Sequence, residues 1–322
     1  MSICKTVFLA FTLLTFCFLT TKSQDLLSPN ELENLLNKAE KQSQNYSKVF
    51  QNLSAEETKT ISNFKRDGSL DEKRVVKSIL VVYQSPRADA AREFRNVVEF
   101  NGRNVTRSDE ETADFFKKLA KSDTTEAELK RLRNESLRYD GNRISWGMTL
   151  YQSRPFDENL KANFKFQTVG KEQIEGRDVW IIEYEQTKTS PYILSNPTGK
   201  EEQAKGATRY DMPISDAFRP TNPLMKGVIR LDAETGQIWR NQFRIVLHPA
   251  KISRPIEANT IFYEYQSSRF GILTPKKFII KTYRVGGKSD RDLTVRSDSE
   301  TVYQYAKFSE FKTDARELNI EK

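Results

Sequence analysis

Residues 226–247 read KGVIRLDAETGQIWRNQFRIVL, two apolar stretches separated by the turn sequence Glu234-Thr235-Gly236. Bulky apolar side chains alternate with polar ones in the second stretch, with Trp239, Phe243, Ile245 and Leu247 on one face and Arg240, Gln242 and Arg244 on the other. Period-two alternation indicates a strand with one buried and one solvated face, and a short turn makes successive strands antiparallel. The stretch therefore predicts a β-hairpin with a dry aromatic face.

The same pattern continues on both sides of this hairpin. From Asp140-Gly141 onward, the predicted strands are 142–152, 161–169, 178–187, 226–232, 237–247, 258–267, 276–285 and 296–311. Upstream, residues 74–83 and 93–100 are two more, and Asn101-Gly102 closes the second with hairpin-turn chemistry. A sheet of about ten such strands must curl or close, because open twisted sheets rarely grow larger.

Capping sequences mark the helices. Ser28-Pro29-Asn30-Glu31 combines an N-cap serine, a proline at the first helical position and a glutamate at N3. Ser54-Ala55-Glu56-Glu57 repeats the pattern, so residues 28–66 are predicted to form two consecutive helices. Ser108-Asp109-Glu110-Glu111 begins a third helical region, predicted over 108–138. The fold class is therefore α+β, a highly curved antiparallel sheet with helices at the N-terminus and inserted after the second strand.

Residues 188–225 differ from the rest of the chain. They contain five prolines and two glycines and show little periodicity. Long insertions of this kind are uncommon in compact domains and usually act as lids or binding loops, or are disordered. We expect this segment to be a long loop insertion.

The N-terminus has the pattern of a secretory leader. Lys5 precedes an apolar run over 7–19, and small residues at Thr21 and Ser23 suit a signal-peptidase site. We therefore expect residues 1–23 to be a cleaved signal peptide and 24–322 to be one exported domain, periplasmic or secreted. A retained anchor is the alternative. Phe16 disfavours lipidation at Cys17, because a small residue normally precedes an acylated cysteine.

Composition excludes several classes of protein. The net charge is +8, and without Lys5 and Lys22 it is +6, with acids and bases alternating, so no dense basic run suggests nucleic-acid binding. Both cysteines, Cys4 and Cys17, lie in the leader, which leaves no disulfide, thiolate metal site or cysteine nucleophile. No transmembrane span is expected in the mature chain.

No catalytic, metal or cofactor motif is present in the sequence. His248 is the one histidine and precedes a proline at a strand end, where a hydrogen-bonded or solvated side chain is favoured over a general base. One histidine cannot supply a zinc site, and no phosphate-binding glycine loop occurs. Glu183, Glu185 and Glu264 leave open a hydrolase with paired carboxylates, although strand alternation favours solvent-facing acids.

Large aromatic residues on the predicted dry face are the remaining signal. The ligand-cavity candidates are Trp146, Trp180, Tyr184, Trp239, Phe243, Tyr263, Tyr265 and Phe278. A curved sheet can hold a ligand wherever its own helices do not fill such a face. A packed core is the alternative for each ring, and the two interpretations stay open together.

The C-terminal half, over about 140–312, resembles the LolA/LolB-like superfamily of periplasmic lipoprotein and lipid carriers. The resemblance rests on Gly176–Ile182, Gly227–Arg240, Tyr263-Glu264-Tyr265 and Phe270–Pro275. It implies a half-barrel closed by helices, an apolar cavity for acyl chains, a periplasmic location and no enzymatic activity. The helical region over 28–66 and the insertion over 188–225 depart from the family pattern.

Together these features predict an exported, non-enzymatic binding protein that holds a lipid or the acyl chain of a lipoprotein in an apolar cavity. An envelope protein-interaction or stress-sensing module with a protein partner is the first alternative. A secreted hydrolase that uses strand carboxylates is the second.

Overall fold

The computed structural model describes residues 26–51, 53–84, 91–105, 109–120, 126–139, 149–150, 152, 154–156, 160–189, 193–195, 208–210, 223–249, 252–287 and 289–310. The predicted leader, with its cleavage site and Cys17, lies outside these residues, as does Trp146. Within the predicted loop insertion, two short strands are described, and they pair in parallel.

The described helices are α1 (Pro29–Phe50), α2 (Asp109–Ala120) and α3 (Glu126–Ser136), with short 3-10 turns at Arg154–Phe156 and Lys161–Asn163. The described strands are β1 (Leu53–Phe64), β2 (Leu70–Tyr83), β3 (Arg92–Phe100), β4 (Arg103–Asn104), β5 (Phe164–Ile174), β6 (Arg177–Gln186), β7 (Ile193–Ser195), β8 (Thr208–Tyr210), β9 (Leu224–Asp232), β10 (Ile238–Leu247), β11 (Ile256–Gln266), β12 (Thr274–Gly286) and β13 (Thr294–Glu310). None of the described helices is long and apolar enough to cross a membrane.

Eleven strands form one antiparallel sheet in the order β4-β3-β2-β1-β13-β12-β11-β10-β9-β6-β5. The order ends at β4 and β5, so the sheet does not close into a full barrel. Its strands follow the chain as hairpins, except where β1 pairs with β13 and β6 pairs with β9. The predicted fold class, an open and curved antiparallel sheet with few helices, is confirmed.

Helix α1 lies across the concave face of the sheet and fixes how strongly it curves. Its Phe50 ring packs 6.0 Å from Phe308 of β13, while Lys38 donates to the Glu234 carbonyl at the β9–β10 turn. A flat sheet of eleven strands would be about 48 Å wide, and a helix of 22 residues is only about 33 Å long. One hydrophobic core under this helix includes residues from β2, near one edge of the sheet, to β5, at the other edge. The sheet must therefore curl around the helix.

The predicted capping box starts α1. The Ser28 hydroxyl accepts from the Glu31 amide, and the Glu31 carboxylate accepts from the Ser28 amide at 2.8 Å, with Pro29 at the first helical position. Leu35, Leu36, Ala39, Tyr46 and Phe50 then face the sheet. The helix is thus set by its own sequence and held by one narrow apolar stripe.

Helices α2 and α3 cover the opposite, convex face at one end of the sheet. Val81 and Tyr83 of β2 and Phe94 of β3 pack there against Phe115 and Leu119 of α2 and Leu132 of α3. Leu80 and Val82, which alternate with them along β2, belong to the main core. The helical region predicted over 108–138 is observed as α2 and α3; it follows the fourth strand of the chain and not the second, because β1 and β4 were not predicted.

The second helix predicted within residues 28–66 is wrong, because residues 53–64 form strand β1. The Ser54-x-x-Glu57 pattern caps nothing there; Ser54 instead contacts the hydroxyl of Ser309 on β13 at 2.8 Å. Alternation was hidden because two of the inward positions, Glu57 and Lys59, are charged yet buried. Asp67-Gly68, directly after the predicted helical region, is the turn of the β1–β2 hairpin.

The strand predicted over 142–152 is also not observed in its described part, since residues 149, 150 and 152 lie in turns and bends. Side chains there form hydrogen bonds with backbone groups. Tyr46 donates to the Thr149 carbonyl at 2.6 Å, and the Thr149 amide donates to Glu93 at 2.7 Å. A backbone held by side chains in this way is not available for a strand ladder.

Candidate functional site

The described members of the predicted aromatic set lie together on the concave face of β6, β9, β10, β11 and β12. Tyr184, Trp239, Phe243, Tyr263, Tyr265 and Phe278 are buried in one core, and Trp180 packs against it half-buried. We call these seven residues the aromatic face. Trp146, the eighth candidate, lies outside the described residues.

Four rings of the aromatic face contact one another across neighbouring strands, and the other three residues belong to or pack against the same hydrophobic core. Tyr263 and Phe278 meet edge to face, with their ring centroids 4.6 Å apart. The Phe243 ring lies 5.9 Å from Tyr263, and the Tyr265 ring lies 5.8 Å from Phe278. Tyr46 of α1 approaches the Tyr265 ring edge-on at 6.1 Å. The face is therefore one continuous apolar layer, with α1 lying against it as its cover.

A glycine allows the aromatic face to carry a polar group. Gly227 stands between Tyr184 and Phe243 in the ladder, and a Cβ there would lie 2.7 Å from the Tyr184 ring. With no side chain in the way, the Tyr184 hydroxyl crosses β9 and donates to Asn241 Oδ1 at 2.9 Å. A glycine inside a strand marks a close approach of this kind.

Asn259 Oδ1 on β11 is a buried acceptor without a hydrogen-bond partner among the described residues, and three buried donors on β10 and β11 lack one as well. They are Trp239 Nε1, Asn241 Nδ2 and the Tyr265 hydroxyl, and we call them the donor group. Their side chains are almost completely buried, at 3 %, 0 % and 2 % exposure for the three residues. Burial raises the pKa of Tyr265, so its hydroxyl keeps its proton across the physiological pH range.

The other end of the concave face carries buried charges that the sequence analysis did not identify. Arg95 binds Glu57 through two hydrogen bonds of 2.7 and 2.9 Å and Glu93 through a third of 3.1 Å. Lys59 lies beside them with its Nζ 5.3 Å from the centre of the Tyr303 ring. We call Glu57, Lys59, Glu93 and Arg95 the charged cluster; its formal charges cancel.

The charged cluster is held by complementary contacts. Burial alone would raise the pKa of Glu57, but the charge and hydrogen bonds of Arg95, together with Lys59 and Tyr305, lower this pKa, so the carboxylate stays ionised. Burial would lower the pKa of Arg95, but the carboxylates of Glu57 and Glu93 raise it. Glu93 also accepts from the amide and the hydroxyl of Thr149 at 2.7 and 2.6 Å. Both carboxylates are therefore engaged in structure.

The residues weighed for catalysis lie on the solvated side of the sheet. Glu185 pairs with Lys226, and Glu264 is bridged by Arg240 and Lys276. Glu264 on β11 and Glu183 on β6 are separated by three strand spacings, about 14 Å, whereas glycosidase carboxylates stand about 5–10 Å apart. His248 is exposed at the end of β10, as its position before Pro249 predicted.

Metal-binding geometry gives no further candidate. Within the described ranges, no three or more histidine, cysteine, aspartate or glutamate side chains come together in a way that could hold an ion.

No family model and no curated protein sequence matches this chain. Solved structures do resemble it. A domain from Vibrio parahaemolyticus, proposed to be an outer membrane lipoprotein-sorting protein, has a TM-score of 0.34 and 10 % identity, covering 85 % of this chain and 92 % of that one. A DUF1329 family protein from Desulfovibrio piger has a TM-score of 0.29 and 13 % identity, covering 87 % of this chain and 93 % of the other.

The LolA superfamily protein NE2245 from Nitrosomonas europaea also resembles the chain, with a TM-score of 0.29 and 10 % identity over 86 % of this chain and 92 % of that one. This is the superfamily whose pattern the sequence resembles. At such identities and scores the likeness concerns the course of the chain alone and carries no information about a ligand.

Proposed function

We propose that this chain is an exported binding protein that holds the acyl chain of a lipid or an acylated protein on its aromatic face. The observation that carries the proposal is the continuous layer of rings on the concave face of β6 and β9–β12, covered by a single helix of narrow apolar stripe. In this proposal the acyl chain takes the place of α1, and the helix swings out as the cover of the site.

Burying an acyl chain on the aromatic face and burying the apolar residues of α1 there stabilise by similar free energies. A chain of about 16 carbons gains roughly 12 kcal/mol when buried, at about 0.8 kcal/mol per methylene. Only five residues of α1 are buried, and its four large ones, Leu35, Leu36, Tyr46 and Phe50, gain about 1.5–3 kcal/mol each, roughly 6–12 kcal/mol in all. An exchange near balance suits a carrier, which must both load and release its cargo.

The N-terminal half of α1 is attached by contacts that a moving helix can break. Lys38 donates to the Glu234 carbonyl at 3.1 Å, and Lys161 bridges Glu40 and Asn37 at 2.6 and 2.8 Å, all near the surface. Partly exposed polar contacts of this type contribute only about 0–1 kcal/mol each. They position the helix without locking it.

Native mass spectrometry and lipid extraction of the mature protein, purified from the cell envelope, test the proposal. We expect lipid mass increments and, on adding lipid to stripped protein, faster amide exchange in α1 together with slower exchange in β9–β12. Tyr263→Leu should weaken binding, whereas Phe262→Leu, its neighbour on the opposite face of β11, should not.

Two results would contradict this function. Stripped protein that binds no lipid removes the carrier interpretation. A stoichiometric protein partner recovered from the envelope without lipid replaces it with the interaction module considered as the first alternative.

A further inference from the structure

The donor group lies within the buried side of the sheet to which the proposed function assigns the acyl chain, and the following inference rests on that function. Trp239 and Asn241 lie two residues apart on β10, and both are buried. Arg240 pairs with Glu264 of β11, and Trp239 and Tyr265 are the next residues of the two strands toward the same end. The three donors therefore lie at neighbouring positions of β10 and β11 on the buried side of the sheet.

Each of these donors lacks an acceptor in the described part of the chain. The Tyr184 hydroxyl occupies Oδ1 of Asn241 at 2.9 Å, which leaves Nδ2 of the same amide without an acceptor in the described part of the chain. Trp239 Nε1 can only donate, and the Tyr265 hydroxyl is neutral and buried. Unpaired buried donors are costly, so three on one surface indicate a missing acceptor.

The charge around the donor group limits what the acceptor can be. The donor group itself carries no cation, and the buried cations of the concave face, Arg95 and Lys59, belong to a cluster whose charges already cancel. A buried carboxylate would need a cation beside it, whereas a neutral carbonyl needs only donors. We propose that Trp239, Asn241 and Tyr265 form a subsite for the ester or amide carbonyl oxygens of an acylated ligand, beneath α1.

Two lipids that differ only in the carbonyl test this subsite. We would measure the affinity of the stripped mature protein for 1-monopalmitoylglycerol, an ester, and for 1-O-hexadecylglycerol, the ether with the same chain and head. The wild type should prefer the ester by about tenfold, the equivalent of one or two net hydrogen bonds. The double variant Trp239→Phe/Tyr265→Phe should show no preference for the ester, and its ratio of ester to ether affinity is the quantity compared, because both residues also belong to the aromatic face.

Stability of the lipid-free protein provides a second measurement with a matched control. Tyr265→Phe removes an unpaired hydroxyl and should leave the melting temperature unchanged or higher. Tyr184→Phe removes a hydroxyl that donates to Asn241 and should lower it. Equal losses in the two variants would mean that Tyr265 already has a partner, and would overturn the subsite.

The outcomes separate this inference from the function beneath it. An equal preference for the ester in the wild type and the double variant, or no preference in the wild type, contradicts the carbonyl subsite while leaving acyl binding intact. Failure of the wild type to bind either lipid contradicts the carrier function and the subsite with it.

Discussion

The two ends of the concave face differ in how they bury their inward side chains. On β10–β12 the inward positions include aromatic rings that pack on one another and on Tyr46 of α1. On β1–β3 the inward positions include Glu57, Lys59 and Arg95, which are just as buried. Apolar contacts hold one end, and a closed set of ion pairs and hydrogen bonds holds the other.

This difference indicates at which end of the concave face a ligand could replace helix α1. Rings contact any apolar surface without fixed geometry, so an acyl chain can replace a helix against them. Charges taken out of water require specific partners, and losing one partner leaves an uncompensated charge. We therefore expect the β1–β3 end to stay rigid while the aromatic end opens.

The largest effect should come from breaking the charged cluster. Arg95→Met leaves Glu57 and Glu93 buried without their common partner, which should reduce the free energy of unfolding by about 3–5 kcal/mol. Chemical denaturation measures this loss. Arg240→Met is the control, because its partner Glu264 lies on the solvated face and exposed pairs contribute about 0–1 kcal/mol. Equal losses would show that the charged end is not specially held.

The next effect comes from the contact between α1 and the rim of the aromatic end. Gly236 and Gly176 both have a positive φ, +76° and +77°, but a Cβ at Gly236 would lie 2.9 Å from the Ala39 amide nitrogen, whereas nothing surrounds one at Gly176. Alanine at either site costs about 1–2 kcal/mol in backbone strain, and at Gly236 about 1–3 kcal/mol more from the clash.

Thermal unfolding of Gly236→Ala and Gly176→Ala measures that difference. Because the extra cost falls on the seating of α1, we also expect Gly236→Ala to take up lipid faster than Gly176→Ala. If the two variants had the same stability and the same rate of lipid uptake, the contact at Gly236 would have no role in holding α1 over the aromatic face.

Much of this fold follows from the sequence because alternation is visible wherever inward residues are apolar. Strands β6 and β9 to β13 lie within two residues at each end of the strands that alternation of apolar and polar residues predicted, whereas β5, predicted over 161–169, runs over 164–174. Six of the predicted aromatic residues share one buried core for the same reason. Periodicity marks a face, but it does not show that α1 would cover that face.

The charged end could not be predicted, because its inward residues look like surface residues. Glu57 and Lys59 give β1 the appearance of a helix start, and their partners Glu93 and Arg95 are 34 or more positions away in the chain. Only the pairing of β1 with β2 and of β2 with β3 brings them together. The donor group was missed similarly: Asn241 reads as one polar residue within a strand.

A smaller effect is expected from acid at the rim of the aromatic end. Burial opposes ionisation of Asp232, but hydrogen bonds from Arg177 and Thr235 prevail and lower its pKa from 3.8 to about 2. A carboxyl whose folded pKa is depressed stabilises the protein above its unfolded value and loses that contribution as the pH falls. Stability should therefore drop by about 1–2 kcal/mol between pH 4 and pH 2, after allowing for the partly exposed Arg177.

Denaturation of the wild type and Asp232→Asn across this pH range checks the effect. The variant should be less stable at neutral pH and should show a flatter profile below pH 4. Parallel profiles would assign the acid sensitivity to other carboxylates.

The smallest effect concerns one sequence pattern in two settings. Ser28-x-x-Glu31 caps α1 over the aromatic end, while Ser54-x-x-Glu57 lies in β1 at the charged end. Ser28→Ala should cost about 1 kcal/mol, a typical value for a lost N-cap, and should speed amide exchange in the first turn of α1. Ser54→Ala removes one exposed contact with Ser309 and should cost less, with no change in α1. The two serines have the same sequence motif but different backbone conformations. Equal effects of Ser28→Ala and Ser54→Ala on amide exchange in α1 would therefore contradict the assignment of the cap to Ser28 alone.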